Sequence, residues 1–527
     1  MADTLQQLFR ERSQQDTVAV KHGERTWTWR EHVAEAQHQA AALIGIADST
    51  RPLHVGVLLA NGPDMLTAMA AAALGGYVLC CINNTRRGEG LARDIALVDC
   101  QILITDAAHR HLLDGLELAG VRVFDTSSDE WAAVMAGRPG FTPHREVGPD
   151  DTFVMIFTSG TSGDPKAVQV QHMMPIFAGS SLAQRYSVNT SDVCYVSMPL
   201  FHSNSIYAGW GVAVVTGATI VPAVFSASRF LDDVRRYGVT FMNYVGKPLA
   251  YILSTPERPD DRDNPLRVAF GNEASDRDIA EFARRFDCTV WDGFGSTENA
   301  VIITREDGCP EGSLGKGFPG VAIYDPDTLR ECEVAKFDDN GDLLNREAAV
   351  GELVNTTGGG LFRGYYKDAD ATDHRLRHGM YWSGDLGYRD ADGWIYFAGR
   401  TADWMRVDGE NLAAAPIERV LIRLPETSRV AVYPVPDEAV GDQVMAALVL
   451  HEGAHLTPEA FGEFLTGQAD LSPKAWPRYV WITDDLPSTA TNKILKRELV
   501  SYGTAPPGGL LWKREGQRYK SVPPAVE

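Results

Sequence analysis

Short uncharged apolar runs recur along the chain, separated by stretches in which apolar residues return with helical spacing. Such runs, bounded by turn residues, read as buried strands, and their alternation with helical patterns predicts parallel sheets. Thr17 to Trp29 gives two strand-like pieces around Gly23-Glu24. Glu31 to Leu43 gives an Ala-rich helix, and Leu53 to Leu59 and Gln101 to Thr105 give buried strands. Phe153 to Phe157 follows, then Val193–Met198, Ala218–Val221, Thr240–Tyr244, Arg267–Phe270 and Cys288–Trp291. Met65 to Ile82 carries no charge and approaches membrane-spanning length, but Gly75-Gly76 interrupts it. It reads as a buried helix, a glycine break and a buried strand from Tyr77. Met380 to Arg400 alternates as a β-hairpin turning at Asp390-Ala391-Asp392-Gly393. Ala415 to Leu424 reads as a helix, followed by strands at Arg429–Val435 and Gln443–Leu450.

A chain of 527 residues exceeds one hydrophobic core, so at least two domains are expected. With 44% hydrophobic and 23% charged residues the composition is that of an ordinary globular protein. A net charge of −21 argues against nucleic acid or an anionic membrane surface as partner. Any anionic substrate must therefore meet local Lys, Arg or backbone donors. The seven cysteines form no Cys-x-x-Cys pair, and their odd number fits a reducing cytoplasm better than secretion. The N-terminus lacks a basic start and an apolar signal core, so a cytoplasmic protein without a transmembrane segment is expected.

The predicted strand at Phe153–Phe157 leads into Thr158-Ser159-Gly160-Thr161-Ser162-Gly163-Asp164-Pro165-Lys166. Glycines let backbone N–H groups approach an anion, hydroxyls add donors and Lys166 adds a point charge, which suits a triphosphate. The string does not fit the Walker A pattern. Taken alone it reads equally well as a polar surface turn.

The string resembles, residue for residue, the phosphate loop of the adenylate-forming superfamily: acyl-CoA synthetases, peptide-synthetase adenylation domains and luciferases. Ala167 stands where that family usually has Gly. The resemblance recurs downstream over nearly the whole chain. Met198-Pro199-Leu200-Phe201-His202 resembles the motif whose His or aromatic residue borders the acyl pocket. No acidic residue lies between Phe201 and Thr219, which argues for an acid without an α-ammonium group. Gly271-Asn272-Glu273 and Asp292-Gly293-Phe294-Gly295-Ser296-Thr297-Glu298 each follow a predicted strand. The second resembles the aromatic-Gly-x-Thr-Glu signature, with Phe294 as a flat face for adenine. Glu298 is a hard oxygen ligand suited to Mg²⁺ on the phosphates. Asp385, within Ser383-Gly384-Asp385, resembles the family's ribose ligand, and Arg400 its companion. Ala402 matches the hinge about which a small domain rotates, where the family usually has Asp or Lys. Met405 to Leu412, with Arg406 and Gly409, resembles the strand that faces CoA in thioester formation. Lys493 resembles the mobile catalytic lysine, with Lys496 as its local competitor. Tyr244, Val245 and Gly246 are expected to line the acyl pocket, Gly246 leaving room for bulk.

Two further patterns carry less. Gly315-Lys316-Gly317-Phe318-Pro319-Gly320 fits a dinucleotide fingerprint, but no strand is predicted before it and Pro319 opposes a helix there. It resembles the family's Gly-rich turn. His374 and His378 have helical metal-ligand spacing without a third ligand, and they read as solvated, as do His109 and His111. The tail Lys513 to Lys520 is basic in an acidic chain and is either a solvated face or an attractor of anions.

The resemblance implies an α/β fold. A large N-terminal domain of packed α/β sheets with a small β-barrel subdomain would span 1–400, and a small mobile α+β C-terminal domain 401–527. It implies ATP-dependent activation of a carboxylic acid to an acyl-adenylate with loss of pyrophosphate, then transfer to CoA, with Mg²⁺ as cofactor. Met405–Leu412 and Tyr244–Pro248 resemble actinobacterial acyl-CoA ligases of the fatty-acid-transport-protein type, whose acids are fatty, steroidal or terpenoid. An enzyme passing its acyl-adenylate to a partner thiolation enzyme or carrier is the alternative. A non-catalytic binding protein is disfavoured because Lys166, Glu298, Asp385, Arg400 and Lys493 are all present.

Overall fold

In the computed structural model of the protein, the residues described are 2–137, 140–158, 165–338, 343–400, 404–407, 410–437, 441–468, 471, 473–488 and 494–522. Contacts divide the chain into two compact units, 1–305 with 357–381, and 306–356 with 382–527.

The first unit holds a sheet in the order Arg122–Asp125, Ile102–Thr105, His54–Leu58, Val78–Cys81, Thr152–Thr158, Lys166–Gln171. All pairings are parallel except the last, an antiparallel hairpin. His54–Leu58 and Val78–Cys81 are buried throughout, as strands covered on both faces must be. Between them runs the helix Pro63–Gly75, buried at every position from Ala68 to Gly75 and packed against the helix Trp29–Ile46. The uncharged stretch is therefore core rather than a membrane span. No described helix is long and apolar enough to cross a membrane. Gly76 ends the helix at φ +69°, and a Cβ there would lie 2.3 Å from the Arg145 carbonyl oxygen. Trp29–Ile46 begins at a capping box: the Thr28 hydroxyl accepts from Glu31 N–H, and the Glu31 carboxylate accepts from Thr28 N–H.

The unit's other strands run in the order Ile303–Thr304, Thr289–Phe294, Val268–Asn272, Phe241–Val245, Val193–Val196, Thr219–Pro222, Val18–His22, Arg25–Thr28. The inner pairings are parallel and the two ends antiparallel. One face is closed by the helices Phe230–Tyr237, Lys247–Leu253 and Asp276–Phe286, whose Val234, Leu249, Phe282 and Phe286 share a core with Met242 and Tyr244. Each predicted strand is present, within a few residues at its ends.

In the second unit the strands Val321–Tyr324, Gly351–Asn355, Met380–Arg389, Ile395–Arg400 and Ser313–Gly317 are neighbours in that order. The hairpin Met380–Arg389/Ile395–Arg400 is as predicted, and Asp390 Oδ1 fixes its turn by accepting from the N–H groups of Asp392 and Trp394. Ser313–Gly317 corrects one expectation, because a strand does run through the Gly315–Gly320 string. It leads into the strand Val321–Tyr324 and not a helix, so the dinucleotide reading still fails. The C-terminal segment builds a mixed sheet from Trp404–Val407, Glu410–Ala413, Thr427–Asp437, Gly441–Leu450, Tyr479–Ile482, Leu510–Glu515 and Arg518–Val522. The helices Ala414–Leu421 and Pro458–Thr466 close its core through Ile417, Leu421, Phe461 and Leu465. The basic tail is thus the hairpin Leu510–Glu515/Arg518–Val522, with Lys520 paired to Glu515 at 2.6 Å.

Candidate active site

Strand pairing presents the first group. Thr158 and Lys166 are directly opposed across the antiparallel hairpin, so the glycine- and hydroxyl-rich string is the hairpin's connection. Ser159, Gly160, Thr161, Ser162 and Gly163 lie outside the described residues. The segment Tyr365–Tyr366 runs beside the outer strand of that hairpin. Val168 bridges to Tyr365, and Tyr366 N–H donates to the Ala167 carbonyl at 2.8 Å. This sets the Tyr365 ring under Lys166, whose Nζ is 5.2 Å from the ring centroid. The Tyr365 hydroxyl donates to Glu298 Oε1 at 2.7 Å and accepts from Arg375. Glu298 is 7% exposed. Burial, then the nearby Glu298 carboxylate, pushes the Tyr365 phenol pKa up, so it stays a donor. Lys166 and Glu298, far apart in sequence, are thus joined through one tyrosine.

The second group sits at the ends of neighbouring parallel strands, where crevices form in such sheets. Gly271 and Asn272 end Val268–Asn272, and a Cβ on Gly271 would lie 2.3 Å from the Tyr244 carbonyl oxygen. Glu273 follows, exposed, with φ +64°, a left-handed conformation unusual for a residue with a side chain. Asp292 is buried at the end region of Thr289–Phe294, where Oδ2 accepts from Ala274 N–H and the Tyr244 hydroxyl, both at 3.1 Å. Burial pushes its pKa up to about 7. Its carboxylate holds the Glu273–Ala274 turn to the next strand. Gly293 and Phe294 complete that strand, and Gly295, Ser296 and Thr297 lead to Glu298.

The third group is the segment after Val193–Val196. His202 is half-buried, its Nε2 enclosed without a hydrogen-bond partner, and burial lowers its pKa to about 4. A neutral imidazole results at physiological pH. A π-helix, Ser205–Trp210, follows; such turns collect at functional sites. The Thr297 hydroxyl donates to Ser203 Oγ at 3.0 Å, and the Tyr207 hydroxyl donates to the Thr297 carbonyl at 3.1 Å. The segment is therefore tied to the loop that carries Glu298.

The expectation for Tyr244 is corrected. Side chains alternate along Phe241–Val245, and Tyr244 points with Met242 into the core under the three helices, 0% exposed. Its hydroxyl also donates to the Trp291 carbonyl at 2.9 Å. Gly246 follows that strand in a left-handed backbone conformation. It has φ +48°, and a Cβ would lie 2.7 Å from the Glu273 carbonyl oxygen. Val245, half-buried, shares the opposite face with Asn243, the face that meets Asn204 and Ser205.

In the second unit, Asp385 and Arg400 are direct cross-strand partners in the predicted hairpin, and Asp385 is 7% exposed. Arg406 lies on Trp404–Val407, opposite Asn411. Ala402, Gly409 and Lys493 lie outside the described residues. Lys496 pairs with Glu418 at 2.8 Å, which commits it elsewhere. Of the discounted histidines, His111, His374 and His378 are exposed as expected. His109 is not simply solvated: Nδ1 meets Asp106 at 2.6 Å and Nε2 meets Asn84 at 3.3 Å. Among the described residues no group of three metal-ligating side chains occurs.

Among the residues of these groups not singled out in the sequence are Tyr207, Tyr365, Tyr366, Arg375 and Asn243. Asn243 had a signal, being one amide inside the apolar run Phe241-Met242-Asn243-Tyr244-Val245. Tyr365 and Arg375 had none.

Comparison with known proteins identifies the family. The family model described as AMP-binding enzyme matches residues 9–366, and that of the AMP-binding enzyme C-terminal domain matches 416–493. The medium/long-chain-fatty-acid–CoA ligase FadD17 of Mycobacterium marinum is 51% identical over 478 residues, 90% of this chain and 92% of that protein. Steroid-22-oyl-CoA synthetase of Rhodococcus jostii is 43% identical over 505 residues, 94% of this chain and 90% of that protein. The crystal structure of ATP-bound MatB from Rhodopseudomonas palustris matches with a TM-score of 0.83 over 95% of this chain and 99% of that one. At 22% identity it shows a shared fold.

Proposed function

The chain belongs to the AMP-binding enzyme family, and from that premise we propose that this acyl-CoA ligase acts on medium- to long-chain fatty acids. The reaction class is ATP-dependent activation of an acid to acyl-AMP, then acyl-CoA. The observation carrying the substrate reading is the 51% identity, over nine-tenths of both chains, to a ligase named for those acids. Steroid acids are the second reading, favoured by the 43% identity to steroid-22-oyl-CoA synthetase. Both are apolar acids without an amine, which fits the absence of an acidic residue from Phe201 to Thr219. The named ligases also favour transfer to CoA by this chain over delivery to a partner enzyme.

The proposed roles rest on the resemblance of the sequence motifs to those of the family. The substrate carboxylate is the nucleophile on the α-phosphate, so no serine or cysteine nucleophile is required. Catalysis is positioning and charge neutralisation. Lys166 and the loop from Thr158 to Gly163 hold the phosphates. Asn272, Glu273, Asp292 and the residues Gly293 to Thr297 hold the nucleoside end with Gly271, Phe294 providing the flat face. Asp385 and Arg400 hold the ribose, and His202 and Val245 border the acid. Arg406 and Gly409 face CoA. Lys493 supplies the mobile cation, and the domain boundary and hinge lie at 400–403.

Glu298 is a buried oxygen donor fixed by Tyr365, and among the described residues no group of three metal-ligating side chains forms around it. One carboxylate plus substrate phosphates is how Mg²⁺ is usually held, so the residues fit that ion. When bound, Mg²⁺ neutralises phosphate charge. The test is pyrophosphate release across octanoate, palmitate, oleate, a steroid side-chain acid and an amino acid, with and without CoA, and mass detection of the thioester. Fastest turnover with a fatty acid is expected. Fastest turnover with the steroid acid selects the second reading, and with the amino acid it rejects both.

A further inference from the structure

Three asparagines form a directed chain beneath the acid-side segment. Asn243 Nδ2 donates to Asn204 Oδ1 at 2.8 Å, and Asn204 Nδ2 donates to Asn272 Oδ1 at 2.8 Å. Asn272 Nδ2 donates to the Gly293 carbonyl at 2.5 Å. The terminal acceptor is a backbone carbonyl, which cannot donate. Each amide is therefore confined to one of its two flip states, and the direction is fixed along the whole chain. The chain crosses from Phe241–Val245, through the segment after His202, to the ends of Val268–Asn272 and Thr289–Phe294.

Its cost shows that packing alone does not account for it. Asn243 is 0% exposed, its Oδ1 has no hydrogen-bond partner, and a Cβ on Gly209 would lie 2.6 Å from that atom. A buried polar atom left unsatisfied opposes folding, and an apolar residue of the same shape would avoid the penalty. What the arrangement provides is register. His202 lies two residues before Asn204, while Asn272 and Gly293 stand at the nucleotide side of the site. The Ser203–Thr297 bond is a second tie between the same two regions.

We propose that Asn204 is a positioning residue for adenylation, holding the acid-binding segment in register with the nucleotide-binding strand ends through this amide chain. The proposal rests on the adenylation reading above. In-line attack requires the carboxylate oxygen and the α-phosphate to be aligned at near contact, and misplacement by about 1 Å costs on the order of 100-fold in rate. Asn204 touches neither reactant in this role; it acts through His202 and Asn272.

Asn204→Asp changes one donor into an acceptor without changing shape. The introduced carboxylate still accepts from Asn243, but it opposes Asn272 Oδ1. Turning Asn272 over merely moves the clash to the Gly293 carbonyl. Once protonated, the same group can accept at one oxygen and donate at the other, which restores the chain. Single-turnover pyrophosphate release should therefore show kcat lowered about 10- to 100-fold at pH 8. KM for ATP and acid should stay within about threefold of wild type, and activity relative to wild type should recover as pH falls. Asn243→Leu is the second variant. Its Tm should stay near wild type, because it removes one unsatisfied oxygen but leaves Asn204 Oδ1 without its donor, while kcat falls. Unchanged kcat in both variants, loss carried by KM, or loss without recovery at lower pH overturns the positioning role. A wild-type protein that releases no pyrophosphate with any acid overturns the adenylation reading instead.

Discussion

Replacing Tyr365 by Phe removes one atom from the centre of the site. The ring remains, so its contact with Lys166 Nζ at 5.2 Å is kept, and only the 2.7 Å bond to Glu298 Oε1 and the bond from Arg375 are lost. A hydrogen bond to an ionised acceptor contributes about 1.5–3 kcal/mol, and Glu298 at 7% exposure has little water to replace it. Loss of a partner that orients a metal-ligating group typically weakens metal affinity by about 10- to 100-fold. The variant should therefore need about 10- to 100-fold more Mg²⁺ for half-maximal pyrophosphate release, with kcat at saturating Mg²⁺ close to wild type. Nucleotide binding without Mg²⁺, read by displacement of a fluorescent ATP analogue, should be nearly unchanged because Lys166 is undisturbed. Thermal unfolding should show the lost bond as a lower Tm. A lower Tm with identical Mg²⁺ dependence would remove Glu298 from the metal. Neither change would mean that the bond does not form in solution.

Three further outcomes are expected. Asp292 has its pKa raised from about 3.8 to about 7, so its contribution to stability is complete below pH 4 and is lost as pH rises toward 7. Asp292→Asn should thus gain on wild type by about 2–4 kcal/mol between pH 4 and pH 7.5 in urea unfolding, and a pH-independent difference would contradict the raised pKa. Arg285 and Asp261 form an ion pair at 2.7 Å with side chains 4% and 1% exposed, and Arg285 also donates to the carbonyls of Ile252, Leu253, Thr255 and Pro256. Arg285→Met should cost about 3–5 kcal/mol in guanidinium unfolding, and a cost under about 1 kcal/mol would show the pair to be dispensable. Lys493→Ala should slow adenylate formation by the equivalent of about 3–4 kcal/mol, while Lys496→Ala, whose lysine is held by Glu418, should leave the rate within about threefold. The reverse pattern would transfer the mobile-cation role to Lys496.

The sequence by itself determined which segments are strands. Parallel strands are buried on both faces, so they appear as uninterrupted apolar runs such as Val78 to Cys81, and glycine breaks such as Gly76 follow from local backbone requirements. The turn after Arg389 was legible for the same reason: the Asp390 carboxylate and the N–H groups it accepts from lie within a few residues. Tertiary structure decided what depends on register and on distant segments. Which face of Phe241–Val245 carries Tyr244 is a question of one residue's alternation, and the sheet turned it into the core under the helices. Gly246 read as space in sequence, and the fold adds a backbone reason for glycine, since a Cβ there would meet the Glu273 carbonyl oxygen. Tyr365 belongs to no motif that pattern alone could flag. It joins Lys166 to Glu298 because its segment pairs beside the strand Lys166–Gln171, a contact between segments nearly two hundred residues apart. Pairings of that kind are set by sheet geometry and packing, which no local spacing encodes.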